Sequence, residues 1–349
     1  MAMRTVTYDE IRGLVRLEDV IEPVRESFKS YSLGRANIPP VQHLEMPARQ
    51  HGALHIKTGH VEPFDFCLVK VASTFPENTR RTPPTPSING VIMVFSAIDG
   101  EPLAVLEDRA WITQARTAGA GAVAAELLAR PGAATLGLIG SGTQARLQAR
   151  AILHVLPDIE RILVWGRTPE NVRRFVDEVR ASRPRLTVEA KATPEEVARV
   201  ADILVTATYA SEPVVRGEWL PKGVLVIAMG ADSIYKRELD DEAFLLADKV
   251  FVDSRSQNEI LAEIGHGIRA GLFDAKRIDC EIGDILISVD RADGICEGRS
   301  SDRERILCKL TGVAVQEIFV CDYVLRVLGI VGRSRDVLAG FYSTARAAS

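Results

Sequence analysis

The chain has 349 residues, of which 46% are hydrophobic and 26% charged, and its formal net charge is −4. That length favours two domains over one, and the slightly acidic balance argues against a nucleic-acid or anionic-membrane partner, which calls for a basic field. The five cysteines (Cys67, Cys280, Cys296, Cys308 and Cys321) are odd in number, widely spaced and without a Cys-x-x-Cys, so neither a disulfide framework nor a zinc site is expected. A reduced cytoplasmic setting fits. The N-terminus has no apolar signal-peptide core, and no run approaches the roughly 20 apolar residues that span a bilayer.

Residues 7–34 are predicted to be helical, with apolar residues at helical spacing and Gly34 as a stop. Residues 38–105 change character. Short alternating runs, Val41–Met46, Ala53–Lys57, Phe66–Ser73, Val91–Ala97 and Leu103–Leu106, are separated by turns such as Pro83-Pro84 and Asp99-Gly100, which predicts a mostly antiparallel sheet. Residues 110–129 form a helix rich in small residues that should pack closely. From Ala134 the pattern becomes strand–helix alternation, with strands at 134–139, 161–165, 186–190, 202–207, 223–229 and 249–253, the signature of a doubly wound parallel sheet. The regularity fades after about residue 275. A last amphipathic helix runs from Thr311 to Leu328, and the final seven residues should fray.

The stretch Ala134-Thr-Leu-Gly-Leu-Ile-Gly140-Ser-Gly142-Thr143-Gln144-Ala145 reads as strand, glycine turn and helix start. Gly140 permits the turn, Gly142 lets a pyrophosphate approach the backbone, and Ala145 allows helix to pack on strand. The helix N-terminus offers N–H groups and a positive dipole end to that anion. The second strand, Arg161–Trp165, ends in Gly166-Arg167-Thr168 with no carboxylate to hold a ribose 2′-hydroxyl. An arginine and a hydroxyl suit a 2′-phosphate, which favours NADP(H) over NAD(H). The alternative is that Arg167 is an exposed loop cation and either cofactor is taken. Thr206-Ala207-Thr208 and Met229-Gly230-Ala231-Asp232 follow later strands, at the sheet edge where ligands bind in open α/β folds.

Together these residues resemble the ornithine cyclodeaminase/mu-crystallin family. The resemblance covers almost the whole chain and rests on Val69-Lys70-Val71 with Phe75-Pro-Glu-Asn78, Thr113-Gln-Ala-Arg116-Thr117-Ala, Gly140–Ala145, Gly230-Ala-Asp232 with Arg237-Glu-Leu239-Asp, and Thr311-Gly312-Val-Ala-Val-Gln-Glu317. It implies a Rossmann-type domain (residues 116–310) and a sheet-rich α+β domain for substrate and dimerisation, built from both chain ends (residues 1–115 and 311–349). It also implies a homodimer. Members act on the C–N bond of amino or imino acids by hydride transfer at the α-carbon, whether as cyclodeaminases, imine reductases or amino-acid dehydrogenases. A non-catalytic NADP(H)-binding protein of the mu-crystallin type is the alternative.

The resemblance assigns Lys70 to the substrate carboxylate and imine, and Arg116 to the carboxylate or a cofactor phosphate. Asp232 matches the catalytic aspartate that handles the amino group and water. Each has a plainer reading: a surface lysine, a helix-terminal ion pair of Arg116 with Asp108 or Glu107, and a helix N-cap by Asp232. Ser87, Asn89, Thr117 and Gly312 join the glycine turn, residues 166–168 and the two later edge segments as candidate cofactor contacts. One departure is visible. The cyclodeaminases carry an arginine shortly before Met-Pro, whereas this chain reads Ile38-Pro-Pro-Val-Gln-His-Leu-Glu-Met46-Pro47. Lys57 replaces that charge without its bidentate fork, which puts strict ornithine cyclisation in doubt. His51, His55 and His60 do not have the spacing of a metal-ligand set, so no metal is expected, and His55 can instead line the site near Lys57.

Overall fold

The computed structural model describes residues 3–46, 52–75, 77–78, 81–83 and 85–332. Pro47, His51, Pro76, Pro84 and the final seven residues, all named above, lie outside the described residues. In chain order the elements are β1 (Arg4–Val6), α1 (Tyr8–Leu14), α2 (Ile21–Ser32), β2 (Ala36–Asn37), β3 (Gln42–Met46), β4 (Gly52–Val61), β5 (Phe66–Thr74), β6 (Ile88–Ser96), β7 (Pro102–Leu106), α3 (Trp111–Leu128), β8 (Thr135–Ile139), α4 (Thr143–Val155), β9 (Arg161–Trp165), α5 (Pro169–Ser182), β10 (Thr187–Ala190), α6 (Pro194–Ala198), β11 (Ile203–Thr206), β12 (Leu225–Ala228), α7 (Asp241–Leu245), β13 (Lys249–Val252), α8 (Arg255–Asn258), α9 (Ala262–Arg269), β14 (Cys280–Glu281), α10 (Ile282–Arg291), β15 (Ile306–Lys309) and α11 (Ala314–Val327). The chain divides into two compact units: Met1–Val15 with Gly34–Ile112 and Glu317–Ser349, and Arg16–Leu33 with Thr113–Gln316.

The first unit holds a seven-stranded sheet in the order β1-β7-β6-β5-β4-β2, with β3 also pairing β4. All pairs but β1–β7 are antiparallel. Alternation sorts the side chains by face. Phe66, Leu68, Lys70, Ile92, Val94, Ala104 and Leu106 are buried on one face, where Ile318 and Phe319 of α11 pack. The other face presents Ile56, Val69, Val71, Val91 and Val105 half-buried and Met93 exposed.

The second unit holds an eight-stranded, all-parallel sheet, β10-β9-β8-β11-β12-β15-β13-β14. Its order reverses between β8 and β11, so the switch point lies at the carboxyl ends of those two strands. β8, β11, β12 and β15 are buried throughout, as central parallel strands covered on both faces must be. The small residues of α3 serve close packing. A Cβ at Gly121 would lie 2.0 Å from Gln148 Oε1 of α4, and one at Gly119 would lie 3.2 Å from Val24 of α2.

Three expectations change. The predicted helix 7–34 is broken into α1, a short 3₁₀ turn (Glu18–Val20) and α2, and α2 belongs to the second unit, where it packs on α10. Two strands appear beyond residue 275: β14 at an edge, and β15 inserted between β12 and β13. The cysteines do not all stay reduced. Cys280, in β14, and Cys296, five residues beyond α10, are paired, with Cα atoms 6.5 Å apart. Sequence spacing carries no signal for such a pairing. Among the described residues no helix is long and apolar enough to cross a membrane.

Candidate active site

In the second unit the carboxyl ends of three adjacent strands press together. Gly140 has φ +117°, and a Cβ there would fall 2.5 Å from the carbonyl oxygen of Ala207 after β11. Gly230, after β12, is equally tight: a Cβ would lie 2.4 Å from Thr208 O and 2.4 Å from Glu238 Oε1. Only glycine lets these turns close. Gly142 differs, since a Cβ added there would meet no protein atom within 4 Å. It caps α4 without any side-chain hydrogen bond, so the first N–H groups of that helix are left for an outside acceptor. Gly142 and Thr143 are exposed, Ala145 is buried against the sheet, and Gln144 Nε2 donates to Gln114 O of α3. These residues fit a dinucleotide pyrophosphate. Gly166 packs on Ser141. Arg167 and Thr168 are exposed, and Arg167 makes no hydrogen bond or ion pair among the described residues.

The segments after β11 and β12 are fixed from beneath by Glu238, which is fully buried. Its Oε2 accepts from Thr206 Oγ1 and Gly230 N, both at 2.7 Å, and its Oε1 accepts from Thr208 N (2.6 Å) and Thr208 Oγ1 (2.7 Å). Burial pushes this carboxyl up, against the opposing pull of Lys309 and the threonine hydroxyls. Glu263 Oε1 accepts the Glu238 N–H at 2.7 Å, and the fully buried Lys309 lies 3.2 Å from Glu263 while donating to Ala228 O and Ala231 O. Thr206 is therefore buried with its hydroxyl turned to Glu238, and Met229 is buried beside it.

Asp232, half exposed, accepts a 2.7 Å bond from Lys236, whose ammonium stands 4.1 Å from the Tyr209 ring centroid. Burial works against the Lys236 charge, but Asp232 outweighs it and holds the ammonium above its usual range. The helix N-cap reading of Asp232 is not met, since the segment from Asp232 to Glu238 forms a turn and no helix starts there. Arg116 is buried and donates from Nη1 to Gln316 Oε1 at 2.9 Å. Its fork lies against Gly312 (φ +84°), where a Cβ would come 2.7 Å from Nη1. That turn is held by buried Asp253, whose Oδ2 accepts from Thr311 N at 2.9 Å and Gly312 N at 2.6 Å. Thr117 donates to Thr113 O within α3.

The first unit holds a buried charge cluster of its own. Lys70, 3% exposed, is no surface lysine: its Nζ lies 2.5 Å from Glu317 Oε1, and Glu317 is fully buried. Lys57 stands directly across from Lys70 in the β4–β5 register and shares its face. Asp108 caps the start of α3 through the Ile112 N–H at 3.1 Å. Burial pushes its carboxyl up, and the Lys70 charge and the Ala110 and Ile112 N–H groups only partly reverse this. Asn89 is exposed and turns its Oδ1 to the Gly90 N–H, while Ser87 is half-buried with its carbonyl accepting from Phe75. His43 and His55 pair at 2.9 Å between their Nδ1 atoms, and His60 Nε2 bonds Phe64 O. Among the described residues no group of three His, Cys, Asp or Glu side chains is placed to hold a metal ion.

Sequence reasoning passed over Glu317, Gln316, Asp253, Glu263 and Lys309 as working residues. Glu317 and Gln316 stood inside a quoted motif, and Glu238 inside another. Lys309 had the one legible signal, a lysine ending the apolar run Ile306-Leu307-Cys308.

The whole chain is similar to known proteins. The chain is 36% identical over 324 residues to a Δ1-pyrroline-2-carboxylate reductase of Bacillus cereus, covering 92% of this chain and 95% of that one. A Thermococcus litoralis Δ1-pyrroline-2-carboxylate reductase, solved with NADH and L-proline, superposes with a TM-score of 0.86 at 29% identity over 95% of this chain and all of its own. An archaeal alanine dehydrogenase dimer with bound NAD superposes at 0.85 with 30% identity, over 95% and 98% of the two chains. The model of the ornithine cyclodeaminase/mu-crystallin family matches residues 2–327, and the chain belongs to that family.

Proposed function

We propose that this protein is an NAD(P)H-dependent reductase of α-imino acids, with cyclic five-membered imines of the Δ1-pyrroline-2-carboxylate kind as its substrate class. The observation that carries the reading is the buried Lys70–Glu317 pair, an ammonium held out of water on the sheet face it shares with Lys57. Bound dinucleotide supplies the hydride that reaches the α-carbon. Lys70 and Arg116 neutralise the substrate carboxylate, and the Lys70 ammonium polarises the imine nitrogen and gives it the proton that completes reduction of the C=N bond. Lys70 is reprotonated from water after product release. Asp232 receives the amino group of the product. The absence of an arginine before Met46 and the likeness to reductases both favour imine reduction over cyclodeamination. A non-catalytic binding role is disfavoured by the same likeness.

NADP(H) is favoured over NAD(H), supported by exposed Arg167 and Thr168 after β9 and by the lack of a carboxylate there. The half-exposed apolar sheet face around Val71, Val91 and Met93 supports a homodimer, which Met93→Asp should convert to monomer in light scattering. The deciding experiment follows nicotinamide absorbance with purified protein, NADPH or NADH, and a panel of cyclic and linear imino acids. Turnover of the cyclic imine supports the reading, and inactivity across the panel refutes it.

A further inference from the structure

We propose that Glu238 is a positioning residue for the nicotinamide half of the dinucleotide, an inference that rests on the cofactor reading above. The glycine turn after β8 takes the pyrophosphate, and the segment after β9 takes the adenosine ribose. With the sheet ordered β9-β8-β11-β12, the other half of the molecule extends over the carboxyl ends of β11 and β12. Those two ends are what Glu238 ties together. One carboxylate accepts four hydrogen bonds, three from Thr206 and Thr208 and one from Gly230. Both segments are also packed backbone to backbone, since a Cβ at Gly230 would lie 2.5 Å from Thr208 N. Glu238 comes from a turn outside both strands, and its own N–H is fixed by Glu263, which Lys309 holds in place. Glu238 itself makes no hydrogen bond to the pyrophosphate turn, which meets the segment after β11 only through the packing of Gly140 on Ala207. Loss of Glu238 should therefore loosen the nicotinamide end while sparing the adenosine end.

The test uses the full chain and two ligands: the complete reduced dinucleotide, and its fragment without nicotinamide (ADP-ribose or the 2′-phosphate form, whichever the wild type prefers). Calorimetry gives both dissociation constants for wild type and Glu238→Gln. The expected result is a weakening of about tenfold to a hundredfold for the dinucleotide. The fragment should change by less than about threefold, and kcat should fall with little change in substrate KM. Equal weakening of both ligands, or none of either, overturns the proposal. If Glu238→Gln does not fold, Thr208→Val removes one of the four bonds, and the same selective pattern at smaller size must appear or the proposal fails. If the wild type binds both the fragment and the dinucleotide and the variant shows no selective loss, only this proposal is refuted. A wild type that binds neither also removes the cofactor reading.

Discussion

Replacing Lys70 by methionine keeps the length of the side chain and removes its charge. In the wild type the Lys70 and Glu317 side chains are 4% and 0% exposed, and their charged atoms are 2.5 Å apart. Methionine leaves the Glu317 carboxylate buried without its ammonium, a loss of about 3–5 kcal/mol. For a chain of 349 residues that lowers Tm by roughly 4–7 °C, taking an unfolding entropy of about 2.1 cal/mol/K per residue. Lys70→Met/Glu317→Leu replaces the whole pair by apolar groups and should regain stability to within about 1–2 kcal/mol of wild type. Activity separates the two roles of Lys70. If its ammonium touches substrate, the double variant stays at least about a hundredfold down in kcat/KM although it folds well. Urea unfolding and imine-reduction assays on all four proteins complete the cycle. Recovery of activity together with stability would show that Lys70 only builds the fold. A single variant as stable as wild type would refute the energetics of the buried pair.

Gly140→Ala should both destabilise the protein by about 1–3 kcal/mol and weaken dinucleotide binding at least about tenfold, because its Cβ meets a backbone oxygen at 2.5 Å. Gly142→Ala, with no atom in reach, should leave Tm unchanged and weaken only the dinucleotide; a fall in both would contradict the open turn. Burial pushes Asp202 up, but the Ala134 and Thr135 N–H groups and Arg130 outweigh it and hold the carboxyl below its usual range. Its contribution is thus present above the unfolded value of about 3.9 and lost as pH falls through the folded one. Asp202→Asn should cost about 1–3 kcal/mol at neutral pH, with the gap to wild type closing below about pH 4 in urea unfolding. Arg167→Ala should lower the NADPH-to-NADH ratio of kcat/KM at least about tenfold, and an unchanged ratio would remove the basis for an NADP(H) preference.

The sequence by itself determined the elements whose residues are repeated locally. Period-two alternation marked β3 to β7, and apolar runs bounded by turns marked β8, β9 and β11 to β13, because a half-buried strand and a doubly covered one leave different patterns. The glycine turn was legible for the same reason: its φ and its close approach admit few residues. Tertiary structure alone decided what depends on residues far apart in the chain. The strand β15 was hidden because it follows an irregular, polar stretch and ends in a lysine, whose charge only the fold neutralises, with Glu263. The partner of Lys70 lies 247 positions away, and the four donors to Glu238 come from two strand ends, at separations of 32, 30 and 8 residues. Spacing carries no record of such pairs, since a buried charge finds its counter-ion wherever packing brings one. The chain's motifs name the chemistry, and its long-range pairs set the geometry in which that chemistry acts.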